Sequence, residues 1–232
     1  MEKQKYTAIV LAAGSGKRMN SKVHKQYLII QDRPVLYYSL KAFEDSAVDE
    51  IVLVVGKGEE KFCRKEIVDK YGISKVKAIV EGGKERYHSV FEGLKQTSDA
   101  DYVLIHDGAR PFVNQDIIRR CMQEVQKYQA CVVGMPVKDT IKIADEEGYA
   151  KQTTDRKNVW MIQTPQTFSY ALIYEAYEEM LKTEDTAITD DAMVLERIKG
   201  KKSKLIEGSY RNIKITTPED LLIANVYLQH PE

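Results

Sequence analysis

The residues best suited to chemistry cluster near the start of the chain, in Ala12-Ala13-Gly14-Ser15-Gly16-Lys17-Arg18-Met19 and Lys25. Glycines let a ligand approach bare backbone N–H groups. Lys17, Arg18 and Lys25 follow with few acids among them. Backbone donors plus cations trap a polyanion, most simply a triphosphate. Two common phosphate loops do not fit. A P-loop needs Gly-Lys-Ser/Thr, whereas Arg18 follows Gly16-Lys17. The dinucleotide fingerprint needs a third glycine where Met19 stands. Taken alone, such a loop also fits a surface turn with solvated bases.

Further candidates lie downstream. Asp107 ends an apolar run, Tyr102 to Ile105, followed by His106-Asp107-Gly108-Ala109-Arg110-Pro111. A carboxylate there orients a Mg²⁺ brought by a nucleotide, holds a ribose or substrate hydroxyl, or simply caps a turn. Arg110 either meets an anionic substrate or pairs with Asp107. His106 reads as a hydrogen-bonded core histidine, and His88 as a surface residue. Gly82-Gly83 and Ser89 suit the edge of a nucleobase, because glycines admit it and a hydroxyl donates or accepts there. The same residues also fit an ordinary strand-to-helix turn. Lys214 lies in an apolar stretch, where an unpaired ammonium is costly, so it requires an anionic partner or an edge. Arg156 follows Thr154-Asp155.

These residues are spaced by alternating strand-like and helix-like patterns. Ala8 to Ala13 reads as a buried strand, Gln26 to Ile30 as a short one. Pro34 opens a helix with Val35, Leu36, Ser39, Leu40 and Phe43 at helical spacing. Ile51–Val55, Val76–Val80, Tyr102–Ile105 and Ala130–Met135 read as strands. Helices fall at Glu59–Tyr71, with Phe62, Ile67 and Val68 inward, through Ser89 to Leu94, and at Gln115–Tyr128. The pattern predicts an α/β fold with a Rossmann-like, mostly parallel sheet flanked by helices. Ligands of such sheets sit beyond the carboxyl ends of the strands. That rule selects the loop at Gly14, the pair Gly82-Gly83 and Asp107-Gly108.

After Pro136 the pattern changes. Thr140–Ala144 and Gln152–Thr154 alternate around Asp145-Glu146-Glu147-Gly148, which predicts a hairpin. Its few apolar residues make it a protruding arm at 138–158 rather than core. Trp160–Phe168 returns to the body, and a helix runs from Ser169 to Lys182. Thr189-Asp190-Asp191 caps the next helix. Asn212–Ile215 reads as a late strand, and Thr217-Pro218-Glu219-Asp220 opens the last helix with a cap, a proline and an acid.

The 232 residues suffice for one domain with a sizeable core. Thirty-five basic and thirty-five acidic residues cancel, which argues against a nucleic-acid or membrane-surface protein. The three cysteines, Cys63, Cys121 and Cys131, lack metal spacing and read as reduced thiols of a cytoplasmic protein. No leader pattern and no run of about 20 apolar residues is present.

Together the motifs are specific. Leu11 to Met19 with Lys25-Gln26 resembles the opening of nucleotidyltransferases that activate sugar and polyol phosphates. His106 to Pro111, Val137-Lys138-Asp139-Thr140, Thr154-Asp155-Arg156, Gln163-Thr164-Pro165-Gln166 and Asn212-Ile213-Lys214-Ile215-Thr216 narrow the likeness. The chain resembles the 2-C-methyl-D-erythritol 4-phosphate cytidylyltransferase family of the non-mevalonate isoprenoid pathway, from about residue 7 to 228. The ribitol-5-phosphate cytidylyltransferases are near relatives. They usually open with Ala-Gly-Gly and lack Asp155-Arg156 followed by Trp160. Many family members carry Ala at the position of Gly108. The resemblance implies transfer of a cytidylyl group from CTP to methylerythritol phosphate with release of pyrophosphate. It implies that Arg18 and Lys25 stabilise the transition state and that Arg156 and Lys214 hold the substrate phosphate. Asp107, Arg110 and Thr140 would position the substrate. Ala12, Ala13, Gly14, Ser15, Gly16, Gly83, Ser89 and Gly108 would bind the nucleotide. Mg²⁺ would act mainly through the nucleotide phosphates, with Asp107 beside it. The family is dimeric through the arm, so a homodimer is expected. Nucleotidyltransferase-like regulatory subunits are the non-enzyme alternative, and they tend to lose the loop bases that are present here.

Overall fold

A computed structural model describes residues 3–14, 24–183 and 187–230. The expectations for Ser15, Gly16 and Arg18 therefore lie outside the described residues. The chain opens with β1 (Tyr6–Ala12). A 3-10 turn (Lys25–Tyr27) and a small β2–β3 hairpin (Ile29–Ile30, Arg33–Pro34) lead into α1 (Val35–Glu44). Then come β4 (Glu50–Val55), α2 (Glu60–Cys63) running into a π-helical turn (Arg64–Asp69), and β5 (Val76–Glu81). Next are α3 (Arg86–Leu94), β6 (Tyr102–Asp107), α4 (Gln115–Tyr128) and β7 (Ala130–Pro136). The hairpin β8 (Lys142–Ala144) and β9 (Ala150–Thr153) precedes β10 (Trp160–Ser169). The chain finishes with α5 (Tyr170–Met180), α6 (Asp191–Lys199), β11 (Lys204–Glu207) and α7 (Pro218–Gln229).

Seven strands form the main sheet in the order β11-β7-β10-β6-β1-β4-β5. All neighbours pair in parallel except β10, which is antiparallel to both β6 and β7. Alternate residues of each strand feed opposite faces. Ala8, Val10 and Ala12 of β1 join Leu36, Leu40, Ile117 and Cys121 beneath α1 and α4. Ile9 joins Val90, Leu94, Ile173 and Val194 beneath α3, α5 and α6. Burying both faces explains why these strands read as continuous apolar runs. The strand order places the carboxyl ends of β1 and β6 side by side, with Leu11 opposite Asp107.

Local sequence chemistry sets the helix starts. Thr217 and Asp220 form a reciprocal capping box with Pro218 between them, as the sequence predicts. Asp190 caps α6 by accepting from Met193 N at 2.9 Å. The acidic turn of the arm is ordered by Asp145, whose Oδ1 accepts from Glu147 N and Tyr149 N. Every residue of β8 and β9 is exposed, consistent with an arm rather than core.

Three expectations are corrected. Gln26–Ile30 is a 3-10 turn followed by two strand residues, because Gln26 turns inward to bond the β1 terminus. Phe62 is 46 % exposed, and Cys63 takes the inward place. Cys63 and Ile67 stand one turn apart, and the wider π turn then brings Val68 inward as well. Asn212–Ile215 is not a strand. It is a strap tied by Ile215 N to Ala109 O, and the last strand is β11. No helix among the described residues is long and apolar enough to cross a membrane.

Candidate active site

Two cavities open beyond the carboxyl ends of β1 and β6 and share a wall of charge. The first, about 500 Å³, is lined by Ala12, Ala13, Gly14, Lys25, Gly83 and Ser89 among others. The second, about 300 Å³, is lined by Arg110, Gln163, Thr164, Thr189 and Asp190 among others. Arg86, Asp107 and Lys214 face both. A separate cleft of about 400 Å³ lies at the opposite end of β1, beside Tyr6, Ala47 and Met122, and holds none of the predicted residues.

The wall of the first cavity depends on a glycine. A Cβ at Gly82 would lie 2.5 Å from the Ala13 Cβ and 2.6 Å from Ser89 Oγ, so only glycine lets β5 close against this wall. Ser89 Oγ accepts from Gly83 N at 3.1 Å. Glu85 and His88 cap α3 reciprocally, which sets Arg86 at its first position. His88 is thus a capping residue, not merely a surface one. Gly108 is buried behind the wall, where its N donates to Leu11 O, and Ala109 is the residue that lines the cavity.

Asp107 is the centre of the shared wall. Lys214 Nζ lies 2.8 Å from its Oδ2, Arg86 Nε 3.2 Å from its Oδ1, and Arg110 Nε 3.8 Å from Oδ2. Its backbone N donates to Thr164 Oγ1 at 3.1 Å. Burial alone would raise the Asp107 pKa, but the charges of Arg86, Lys214 and Arg110 outweigh it and hold the carboxyl far below the usual range. The anionic partner required for Lys214 is therefore Asp107. Arg110 is mostly buried and works as a staple, donating to Asn212 O at 2.8 Å and Ile162 O at 3.4 Å. His106 is fully buried between Thr164 Oγ1 and Arg110 O, and burial pushes it down to about 4. It is a neutral structural histidine at pH 7, as its position in the strand predicts.

From the sequence, Arg86 has no role and Asp191 only a share in a helix cap. The Arg86 guanidinium forks onto Asp191 with two bonds of 2.8 Å. Asp191 is fully buried and also accepts from the Tyr177 hydroxyl at 2.6 Å. Gln166 Oε1 accepts from Asp191 N and Ala192 N, while its amide donates to Asp190. Burial opposes the charge on Arg86, but Asp191 and Asp107 outweigh it and raise its pKa well above the ordinary value. One signal was available: two consecutive acids, Asp190-Asp191, where a helix cap needs one.

Thr140 and Arg156 lie at the base of the arm, exposed, and line neither cavity. Arg156 Nη1 donates to Lys138 O at 3.0 Å. The donor set does not fit a Mg²⁺ ligated directly by the chain. Both oxygens of Asp107 already face cations, and the described residues contain no cluster of three His, Cys, Asp or Glu that could hold a metal.

Three comparisons bear on this arrangement. Residues 6–230 match the family model described as 2-C-methyl-D-erythritol 4-phosphate cytidylyltransferase. The chain is 50% identical over 226 residues to the 2-C-methyl-D-erythritol 4-phosphate cytidylyltransferase of Lachnoclostridium phytofermentans, covering 97% of each chain. It is 53% identical over 225 residues to the protein of that name from Lachnospira eligens, covering 96% of this chain and 99% of the other. Among solved structures, it is similar to the 4-diphosphocytidyl-2C-methyl-D-erythritol synthase of Anaerococcus prevotii. That match has a TM-score of 0.86 and 38% identity, and covers 98% of this chain and 97% of the other. The Thermus thermophilus cytidylyltransferase structure matches with a TM-score of 0.78 and 29% identity, covering 95% and 98%. With the sheet, the paired cavities and these matches in agreement, the chain belongs to the 2-C-methyl-D-erythritol 4-phosphate cytidylyltransferase family.

Proposed function

We propose that this chain transfers the cytidylyl group of CTP to 2-C-methyl-D-erythritol 4-phosphate, giving 4-diphosphocytidyl-2-C-methyl-D-erythritol and pyrophosphate in isoprenoid precursor biosynthesis. The observation that carries the reading is the meeting of two cavities at Arg86, Asp107 and Lys214. The larger one suits the nucleotide, with Gly83 and Ser89 at the base and Ala12 to Gly14 at the phosphates. The smaller suits a polyol phosphate, with Thr189, Asp190 and Gln163 offering a hydroxyl, a carboxylate and an amide.

The nucleophile is a phosphate oxygen, ionised at pH 7, so no general base is required. The barrier lies in bringing two anions together and in stabilising charge on the α-phosphate. Lys25 lines the nucleotide cavity, and Arg18 belongs to the same loop sequence. Lys214 keeps 35% of its side chain exposed while paired with Asp107, so it remains accessible to a substrate phosphate. The divalent cation enters as part of the substrate, bound to the triphosphate.

Arg156 completes the substrate-phosphate site from a second copy of the chain, together with Thr140. The exposure of Ile143, Tyr149 and Met161 supports a homodimer formed through the arm. The place of action is the cytoplasm, in keeping with three free cysteines.

The test is pyrophosphate release with methylerythritol phosphate and each of CTP, UTP, ATP and GTP. CTP gives the highest kcat/KM, with UTP the strongest competitor because it differs only at the base edge. Equal use of UTP would remove the base-reading role of the Gly83 and Ser89 wall.

A further inference from the structure

The turn that carries Lys25 is pinned both at the cavity wall and, through Tyr27 and Glu59, from outside both cavities. Lys25 begins the 3-10 turn, and its neighbours on either side are tied to the body of the protein. Gln26 Nε2 donates to Ala12 O at 2.5 Å, holding the turn against the end of β1. The Tyr27 hydroxyl donates to Glu59 Oε2 at 2.7 Å and lies 3.0 Å from Cys63 Sγ. His24 Nδ1 lies 2.7 Å from Glu59 Oε1. One carboxylate therefore flanks Lys25 on both sides, bonded to the Tyr27 hydroxyl and in close contact with the His24 ring, which makes no hydrogen bond to it.

Glu59 is itself fixed. Its Oε2 accepts from Gly56 N at 3.0 Å. A Cβ at Gly56 would stand 2.6 Å from the same oxygen, so the carboxylate fills the space that glycine leaves. The Tyr27 ring meets Phe62 edge-on with centroids 5.1 Å apart. The sheet does not need this clamp for its register, since β1 and β4 already pair from Thr7–Glu50 to Ala12–Val55. Keeping a carboxylate 19% exposed among these groups is costly unless each contact is made. Apart from Gly56 N, the contacts of the carboxylate are with residues 24 and 27.

We propose that Glu59 is a positioning residue for the reaction: by bonding Tyr27 and packing against His24 it fixes the backbone that presents the Lys25 ammonium to the triphosphate. The inference rests on the reading of Lys25 as a transition-state cation. Misplacing such a group by about 1 Å costs up to roughly 100-fold in rate.

The experiment measures kcat and KM for CTP with the full chain, for wild type, Glu59→Ala, Glu59→Gln, Tyr27→Phe, Lys25→Ala and the Glu59→Ala/Lys25→Ala pair. Glu59→Ala lowers kcat about 30-fold with KM changed by less than about twofold. Glu59→Gln keeps an acceptor for Gly56 N and the Tyr27 hydroxyl and stays within about fivefold of wild type. Tyr27→Phe loses one of the holds and falls about threefold. In the Lys25→Ala background, Glu59→Ala costs less than about twofold, because the group it positions is gone. A Glu59→Ala effect of the same size in both backgrounds, or an effect on Tm without one on kcat, overturns the clamp. Normal kcat in Lys25→Ala overturns the reading of Lys25 and the clamp with it. A low kcat in Lys25→Ala beside a normal one in Glu59→Ala overturns the clamp alone. If Glu59→Ala does not fold, Gly56→Ala displaces the same carboxylate and decides by the same comparison.

Discussion

The wall around Asp107 and the arm at 138–158 handle charge in opposite ways. At the wall, Arg86, Lys214 and Arg110 converge on Asp107, and Arg86 is forked onto buried Asp191. Every cation there has a partner within the chain. On the arm, Arg156 reaches the carbonyl of Lys138 and no carboxylate among the described residues, and both strands of the hairpin beside it are exposed throughout. The difference shows what each region needs in order to be finished. Buried charges must be paired as the chain folds, since an unpaired one costs several kcal/mol. A solvated guanidinium carries no such penalty and can wait for a substrate or a second subunit. Charged residues of the wall are therefore tied to stability, whereas those of the arm add little to it.

That contrast is broken most strongly at Asp191. Asp191→Ala leaves Arg86 with one carboxylate partner, three bonds lost, and is expected to cost about 3–4 kcal/mol of stability. Urea unfolding checks it. Arg156→Ala should leave the unfolding free energy within about 0.5 kcal/mol of wild type. A loss of comparable size in both variants would erase the distinction between the regions.

Next in size are Lys25→Ala and Arg18→Ala. Each should lower kcat by about two or more orders of magnitude, roughly 3 kcal/mol of barrier, with little change in the melting curve. Steady-state kinetics decides. Near-normal turnover in either variant would remove that residue from the transition state.

The pH dependence of stability sharpens the wall side. His106 titrates near 4 when folded and near 6.5 when unfolded. The unfolded chain therefore binds more protons between these values, and stability falls as pH drops through that window. Between pH 7 and 5 the loss from this group is about 2 kcal/mol, and above pH 7 it contributes no slope. Asp107 stays ionised throughout, because its pKa is held far lower. Unfolding curves at pH 7 and 5 should show the loss in wild type and lose most of it in His106→Gln.

The arm side is sharpened by mixing subunits. Lys25→Ala and Arg156→Ala, each nearly inactive, are combined under conditions that exchange chains. About half of the dimers are then mixed, each with one intact site, and activity returns toward about a quarter of wild type per subunit. No recovery despite verified exchange would place Arg156 in the site of its own chain.

What could be read in advance follows the range of the interactions. The Gly82-Gly83 turn, the end of β6 at Asp107 and the Thr217 capping box are local, so neighbouring residues declare them. The need of Lys214 for a partner was legible from desolvation, and Asp107 meets it. The fork between Arg86 and Asp191 spans 105 residues, and no local pattern in either segment names the other. The clamp from Glu59 onto Tyr27 spans 32 residues and was hidden for the same reason. β11 was missed because Lys204-Leu205-Ile206-Glu207 buries only Ile206, as an edge strand does. Ile213 and Ile215 beside Lys214 imitate strand alternation, yet only Ile215 ties this strap to Ala109.

The central claim is that the paired cavities join a cytidine nucleotide to methylerythritol phosphate. Pyrophosphate release from CTP, measured side by side with 2-C-methyl-D-erythritol 4-phosphate and ribitol 5-phosphate, tests it most directly. Rapid release is expected with the first substrate, little with the second, and a product carrying both cytidylyl and methylerythritol groups. Preference for ribitol 5-phosphate, or nucleotide binding without any release of pyrophosphate, would contradict it.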